Sequence, residues 1–221
     1  GAIAKGENGR AKIDFDACIS CGKCVSACPF GAVHEKSQVI DILKHMKNGE
    51  KVIALIAPSI VGQFPGNIYQ LKTAIKKAGF YDVYEVAQGA DVTTKKEAAE
   101  FQERMKHNEP FMTTSCCAGY NQLVKKHLNE IKPFVSDTLT PMAYIAQIVK
   151  EKEPNSKLVF ISPCVAKRVE VEENPNVDYL MNFEELGALF VARKIEIMDC
   201  EEEAFDVESS KQGRGFGITA G

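Results

Sequence analysis

Four cysteines lie close together near the start of the 221-residue chain, at Cys18, Cys21, Cys24 and Cys28, and Pro29 follows the last of them. The spacing, Cys-x2-Cys-x2-Cys-x3-Cys-Pro, is typical of the run that binds a [4Fe–4S] cluster in bacterial ferredoxins. Short spacers allow one stretch of backbone to direct several thiolates at the cluster. Structural zinc is the alternative, but zinc sites usually combine one close pair of cysteines with a second, distant pair. The pattern therefore predicts a [4Fe–4S] cluster.

The assignment of Cys28 stays open, because the last cysteine of such a run binds the neighbouring cluster in two-cluster ferredoxins. Residues 1–3 read Gly-Ala-Ile, which is similar to the Gly-Ala-Val at residues 31–33, shortly after Cys28. We interpret residues 1–3 as the tail of a lost upstream repeat. Chance similarity of three small or apolar residues is the alternative.

The other four cysteines are the adjacent pair Cys116 and Cys117, then Cys164 and Cys200. Adjacent side chains cannot easily face one small ligand, so we expect the pair to have two different roles. Lys167 follows Cys164 closely, which would bring an ammonium near a thiolate if a helix begins there. Burial as a small hydrophobic side chain is the alternative for any one of these cysteines.

The composition is that of an ordinary globular chain, with 45% hydrophobic residues, 26% charged residues and a formal net charge of −3. This slight negative charge provides no electrostatic footprint for nucleic acid, and no apolar run approaches the roughly 20 residues of a membrane-spanning helix. The first residues lack the basic and then apolar pattern of an export signal. We therefore expect a soluble cytoplasmic protein, in which cysteines favour metal binding or catalysis over disulfides.

Strand and helix signals alternate from residue 51 onwards, after the cysteine run. Short apolar runs predict strands over residues 51–57, 81–86, 111–114 and 158–162. Helical spacing of apolar residues predicts helices over 67–79, 89–107, 118–128 and 141–152. Strands separated by helices indicate a largely parallel α/β sheet. We expect a small ferredoxin-like iron–sulfur module over residues 1–40, followed by this α/β lobe over 41–221.

Three of the predicted strands run directly into segments with unusual residues. The segments are Ala57-Pro58-Ser59, Ser115-Cys116-Cys117 and Pro163-Cys164. Ligands of parallel α/β sheets bind beyond the carboxyl ends of the strands. We therefore expect the three segments to meet at one rim of the sheet.

Taken together, these segments resemble the catalytic domain of [FeFe]-hydrogenases over essentially the whole chain. Residues 114–120, TSCCAGY, are similar to the family motif TSCCPGW, and residues 162–170, SPCVAKRVE, are similar to its MPCxxKxxE motif. The Ala-Pro-Ser turn, the run Gly-Ala-Asp at residues 89–91 and a ferredoxin run ahead of the catalytic domain also resemble the family pattern.

The resemblance implies an H-cluster, which is a [4Fe–4S] cluster joined to a diiron subsite with CO and CN⁻ ligands. Cys117 and Cys164 would be ligands of its cubane. Cys116 would carry protons to the diiron subsite instead of binding the cubane. Lys167 would hold a cyanide ligand, and the same pocket would be lined by Ala57, Pro58 and Ser59.

The resemblance also implies a proton path from Cys116 to the surface. The matching positions in this chain are Glu97, Ser136, Glu100 and Arg104. Carboxylates and a hydroxyl supply the alternating proton donors and acceptors that such a path needs. The alternative is a solvated stripe, because Glu97, Glu100 and Arg104 share one face of a predicted helix.

The chain departs from the family pattern in several places. Ala118 and Tyr120 replace the usual Pro and Trp, Ser162 replaces a Met, and Met142-Ala143 lies where a Gln is expected. The family's third motif, Cys-x3-Cys, supplies the remaining cubane ligands, and only Cys200 remains here. Because residues 215–221 resemble the stretch upstream of that motif, we interpret the chain as an internal piece that is inactive alone. Cys200 is then a thiol rather than a ligand.

The resemblance favours reversible reduction of protons to H₂, with electrons from a ferredoxin or another redox partner. The missing C-terminal part of the enzyme would be a further partner. A redox or H₂ sensor is one alternative, which the changed motif residues keep open. An iron–sulfur protein without hydrogen chemistry, similar to hydrogenase-like assembly factors, is the other. Retention of Lys167 argues against that last alternative, because a plain cubane needs no ammonium to hold cyanide.

Overall fold

The computed structural model describes residues 1–207, 209 and 211–218. The chain opens with two short antiparallel strands, β1 (Ile3–Lys5) and β2 (Ala11–Ile13), in which Ile3 lies opposite Ile13. The cysteine run follows and contains one short helix, α1 (Lys23–Ala27). The predicted upstream repeat would precede β1, and its existence stays a prediction.

Four parallel strands form the central sheet: β3 (Val52–Ile56), β4 (Asp82–Glu85), β5 (Lys157–Ile161) and β6 (Tyr179–Met181). Their spatial order is β4-β3-β5-β6, and Ile53 of β3 lies opposite Asp82 on one side and Leu158 on the other. Every residue of β3 is buried, as expected of a strand that helices cover on both faces. The predicted α/β class with a largely parallel sheet is confirmed.

The helices that follow α1 are α2 (Val39–Lys47), α3 (Ile68–Lys77), α4 (Val86–Lys106), α5 (Ala118–His127), α6 (Pro141–Lys152), α7 (Lys167–Glu173), α8 (Phe183–Ala192) and α9 (Lys211–Gly215). Side-chain caps explain where several begin, because Asn67, Thr140 and Asn182 accept backbone N–H groups of the first turn. In the described part of the chain, none of these helices is long and apolar enough to cross a bilayer.

The sheet separates two apolar cores. Successive side chains of β3 alternate between them, so Ala54 and Ile56 join the core with α3 and α8, whereas Ile53 and Leu55 join the core with α6. This double burial explains the continuous apolar run in the sequence. The helices cover the two faces of the sheet but not its edge at the carboxyl ends of β3 and β5, where the cavity described below lies.

The predicted strand over 111–114 is wrong. Thr113 makes only an isolated parallel bridge with Val135, and its segment lies outside the four-stranded sheet. The Thr113 N–H and C=O bond the backbone of Phe134 and Ser136 instead. The other predicted strands and helices agree with the structure within three residues at each end. Helix α4 starts at Val86 rather than residue 89, because it continues directly from β4.

Helix α4 packs closely against α6 at Gly89. A Cβ atom at Gly89 would lie 2.0 Å from the carbonyl oxygen of Pro141, so any side chain would push the two helices apart. We expect Gly89→Ala to lower the free energy of unfolding by about 2 kcal/mol or more, the scale of overpacking. Denaturant unfolding of the cluster-free chain measures this loss.

Gly119→Ala is the matched control for Gly89→Ala. A Cβ atom at Gly119 would lie 3.7 Å from the Ala166 Cβ, an ordinary contact. Alanine is about 1 kcal/mol better than glycine inside a helix, so the Gly119 variant should be as stable as the wild type or slightly more stable. Equal stability of the two variants would contradict the close packing of α4 on α6.

Candidate functional site

A cavity of about 210 Å³ lies beyond the carboxyl ends of β3 and β5. Six residues that the sequence singles out line it together: Ala57, Pro58, Ser59, Cys116, Cys164 and Lys167. The Ala-Pro-Ser turn comes directly after β3, and the Pro163-Cys164 segment follows β5. The predicted meeting at one rim is therefore found, with one change: the segment with Cys116 arrives from a loop rather than from a strand.

Lys167 is the first residue of α7, and its side chain is 14% exposed. Its Nζ donates to the Cys116 carbonyl oxygen at 2.8 Å and to the Glu170 carboxylate. Glu170 in turn accepts the Thr140 hydroxyl. An ammonium has three N–H donors, so the arrangement fixes Lys167 at the cavity wall and leaves one donor without a partner among the described residues.

Cys116 and Cys117 have different surroundings. Cys116 lines the cavity, and its Sγ lies 3.5 Å from the Thr114 hydroxyl. Cys117 is exposed and caps α5, because its Sγ accepts the N–H of Tyr120 at 3.4 Å. The two neighbouring thiols therefore have different surroundings, and their two predicted roles stay a prediction.

The N-terminal cysteines lie on a tight loop whose backbone N–H groups point at sulfur. Cys18 Sγ accepts the Ser20 N–H at 3.4 Å, and Cys28 Sγ accepts the Ala32 N–H at 3.3 Å. Hydrogen bonds from the backbone of Phe30 first, and of Ala32 next, lower the pKa of the Cys28 thiol. Bonds of this kind stabilise thiolates over thiols. Among the described residues, no three His, Cys, Asp or Glu side chains converge on a single-ion site.

This loop packs against the segment that carries Cys164. Gly22 has a φ of +74°, and a Cβ atom there would lie 3.1 Å from a methyl group of Val165. The left-handed backbone and the close approach both favour glycine at this position. The N-terminal cysteine run therefore lies beside the residue that follows Cys164.

Glu97 is half-buried between the cavity loop and Ser136. Burial raises the pKa of Glu97, and weaker opposing contributions come from hydrogen bonds with the Ser136 hydroxyl and the Ser115 backbone. Its Oε1 is buried without a hydrogen-bond partner in the described part of the chain. Glu97 therefore reaches the backbone of Ser115, the residue before Cys116, and does not lie on a fully solvated helix face.

Glu100 is an anion surrounded by donors. Burial alone would raise its pKa, but hydrogen bonds from Ser136, from the Asp137 N–H, from Thr138 and from Arg104 lower the pKa of Glu100 to about 2. The Ser136 hydroxyl donates at 2.6 Å, and the Arg104 Nε donates at 2.9 Å. The side chain of Arg104 is only 13% exposed, so Glu100 and Arg104 belong to a partly buried network and not to a solvated stripe.

Two features of the site were missed by sequence reasoning. Phe216 lines the cavity, although the sequence of its glycine-rich segment points to the family resemblance and not to a role in the site. Buried Glu85, at the end of β4, receives two 2.9 Å bonds from Arg214, which ties the segment of Phe216 to the sheet. A charged residue closing an apolar strand was the available signal.

The remaining cysteine, Cys200, lies away from the cavity. It is buried in an apolar core, with Lys77 Nζ 3.6 Å from its Sγ.

Comparisons with known proteins place the chain among hydrogenases in sequence and fold. The chain is 28% identical to the NADP-reducing hydrogenase subunit HndD of Solidesulfovibrio fructosivorans. The alignment has 240 positions with its gaps and covers 92% of this chain and 41% of that protein. A solved structure of the [FeFe]-hydrogenase HydA1 from Chlamydomonas reinhardtii is similar with a TM-score of 0.71 and 25% identity, covering 78% of this chain and 51% of that one. The chain thus spans about half of these proteins or less.

The same domain occurs in proteins of another kind. The chain is 22% identical to the cytosolic iron–sulfur assembly component 3 of Mus musculus, covering 73% of this chain and 40% of that protein. Similarity to this domain therefore supports iron–sulfur cofactors, but it does not by itself select one reaction.

Two family matches account for most of the chain. Residues 11–34 match the 4Fe-4S binding domain. Residues 50–221 match the family described as the C-terminal domain of the iron-only hydrogenase large subunit. The chain therefore belongs to the iron-only, or [FeFe]-, hydrogenase family and carries a ferredoxin-type run ahead of the family domain.

Proposed function

We propose that the chain comprises the ferredoxin-type module and the first part of the catalytic domain of an enzyme that interconverts protons, electrons and H₂. The single observation that carries this proposal is the convergence of Cys116, Cys164, Lys167 and the Ala57–Ser59 turn on one small cavity. A site for an iron–sulfur cluster alone has no need of the buried ammonium beside a thiol and a tight Ala-Pro-Ser turn.

The donor set fits an H-cluster in part. Cys117 and Cys164 would hold its cubane, and Lys167 with Ala57, Pro58 and Ser59 would surround its diatomic ligands. The third N–H donor of Lys167 suits a cyanide nitrogen. Two further thiolates would come from outside these 221 residues. When bound, the H-cluster supplies the iron site at which protons and electrons combine.

The four N-terminal cysteines would hold a second cluster, which passes electrons from a ferredoxin or a similar one-electron carrier. Support comes from the backbone N–H groups directed at the sulfur atoms of Cys18 and Cys28, because hydrogen bonds to the ligand sulfurs are typical of iron–sulfur sites. The contact between Gly22 and Val165 supports a short path to the cavity, because Val165 adjoins Cys164.

Protons would travel from Cys116 through Glu97, Ser136 and Glu100 to Arg104. The raised pKa of Glu97 suits a group that takes up and releases a proton. With a pKa of about 2, Glu100 is protonated at pH 7 in roughly one molecule in 10⁵. This cost of about 7 kcal/mol still permits some 10⁷ transfers per second, which exceeds ordinary turnover. The low pKa of Glu100 is therefore compatible with the path.

A second candidate function is iron–sulfur cluster assembly without hydrogen chemistry. The similarity to the mouse assembly component favours it. In that function the thiolates would hold ordinary clusters, and neither Cys116 nor Lys167 would have a chemical role.

Infrared spectroscopy separates the two functions. After anaerobic maturation of the full-length protein, including the part that supplies the two further thiolates, with the diiron cofactor, we expect sharp CO and CN⁻ bands together with H₂ evolution from a low-potential donor. A hydrogenase of the same family, treated identically, is the positive control. A protein that binds iron and sulfide but shows no CO or CN⁻ bands would overturn the hydrogenase proposal in favour of assembly.

A further inference from the structure

Helix α5 connects the two proposed cluster sites. Its first turn is capped by Cys117, and its last turn reaches the loop of the N-terminal cysteine run. There Lys126 Nζ donates to the carbonyl oxygens of Phe15 at 2.8 Å and Cys18 at 2.7 Å. The next residue, His127, bonds the Ala17 carbonyl through Nε2 at 2.9 Å. A helix of ten residues is about 15 Å long, so one rigid element spans the distance between the sites.

Lys126 differs from the other lysine beside it. Lys125 is exposed and its ammonium pairs with Glu173 at 3.0 Å, with both side chains more than half exposed. Lys126 is half-buried, and its two carbonyl contacts hold the ammonium against the backbone of a cysteine of the run. A charge fixed in this way acts at short range and is screened less than a solvated one.

We propose that Lys126 is a positioning residue that raises the reduction potential of the N-terminal cluster. This inference rests on the proposed binding of a [4Fe–4S] cluster by Cys18, Cys21, Cys24 and Cys28. Reduction transfers one electron from a low-potential donor, such as a reduced viologen, to the cluster and adds one negative charge to it, without a proton. A fixed ammonium stabilises the more negative form, so the cluster is easier to reduce. The acidic side chains of the same loop, Asp14 and Asp16, act in the opposite direction.

An ammonium that only anchors the loop would also make these hydrogen bonds. The two roles differ in one observable, because anchoring affects retention of the cluster whereas charge affects its potential. Lys126→Gln removes the charge and keeps a hydrogen-bond donor. Lys126→Arg keeps the charge and the donors. Lys125→Gln makes the same change of charge one residue away.

The test is a redox titration of the reconstituted 221-residue chain, followed by electron paramagnetic resonance of the reduced cluster. The blank is Cys21→Ser, which removes one proposed ligand of the N-terminal cluster. A resonance that disappears in this variant is assigned to that cluster. At the wild-type midpoint, Lys126→Gln should lower the ratio of reduced to oxidised cluster at least about threefold; a tenfold change is 59 mV for one electron. Lys126→Arg should restore the wild-type ratio, and Lys125→Gln should change it less than twofold.

Equal ratios for Lys126→Gln and Lys125→Gln would overturn the proposal. So would loss of the cluster from Lys126→Gln, since the contact would then serve retention. Failure of the proposed cluster site itself has a different signature, because the wild-type chain would then give the same blank spectrum as Cys21→Ser.

Discussion

Under the proposed function, replacing Cys116 by serine is expected to lower H₂ turnover about 100-fold or more in the maturated full-length protein while its CO and CN⁻ infrared bands remain. Cys116 lines the cavity, and we assign it to proton transfer and not to cluster binding. Loss of a positioned proton donor costs about 10²–10⁴-fold in rate. A serine hydroxyl cannot substitute, because it is a far weaker acid than a thiol, whose ordinary pKa is about 8.5.

Cys117→Ser is the matched control, since it removes one sulfur atom from the adjacent residue. Cys117 caps α5 and is the proposed cubane ligand, so its variant should lose the infrared bands together with the activity. If Cys116→Ser lost the bands and Cys117→Ser kept them, the two roles would be reversed. Near wild-type turnover of Cys116→Ser would show that protons take another route.

Replacing Glu100 by glutamine is expected to remove about 3 kcal/mol of stability at pH 7 from the cluster-free chain. The pKa of Glu100 is lowered from 4.5 to about 2 in the folded protein, and each unit of pKa corresponds to about 1.4 kcal/mol. A lowered folded-state pKa gives stability that is fully present above the unfolded value and is lost as the pH falls through the folded value. The difference between wild type and variant should therefore shrink between about pH 4.5 and pH 2.

Urea unfolding at pH 7 and at pH 3 measures this difference. The matched control is Glu103→Gln on the same helix, because Glu103 is 60% exposed and pairs with Lys106 on the surface. Exposed pairs contribute at most about 1 kcal/mol, so this variant should be nearly neutral at both pH values. A Glu100 variant that behaves like the Glu103 variant would contradict the network around Ser136 and Arg104.

Local patterns in the sequence predicted the features that depend on few neighbours. The N-terminal cysteine run is one, because its ligands lie within a single loop and their spacing alone is diagnostic. The strand at 51–57 is another, since a continuous apolar run reports burial on both faces of a sheet. Helix α6 has the predicted ends, and the structure shows Thr140 capping its first turn with Pro141 at the first helical position.

Short elements escaped prediction because a few residues carry little periodicity. Strand β6 has only three residues, too few for alternation to be recognised. Residues 111–114 have the composition of a strand, yet their ladder-like hydrogen bonds go to the loop around Phe134 and Ser136 and not to the central sheet. Composition cannot choose between such partners, because the hydrogen bonds are formed by segments distant along the chain.

The sequence by itself determined which of the residue types expected of the [FeFe]-hydrogenase family are present, and in what order. Only the tertiary structure decided how residues of the same type differ in pKa and in the groups they contact. Glu97 and Glu100 lie one turn apart on α4, but burial raises the pKa of one and converging donors lower that of the other. Lys125 and Lys126 are neighbours, but only Lys126 reaches the cysteine loop. The physical reason is the same in both cases: a side chain's charge and reactivity depend on its surroundings, and segments far apart in the chain supply those surroundings.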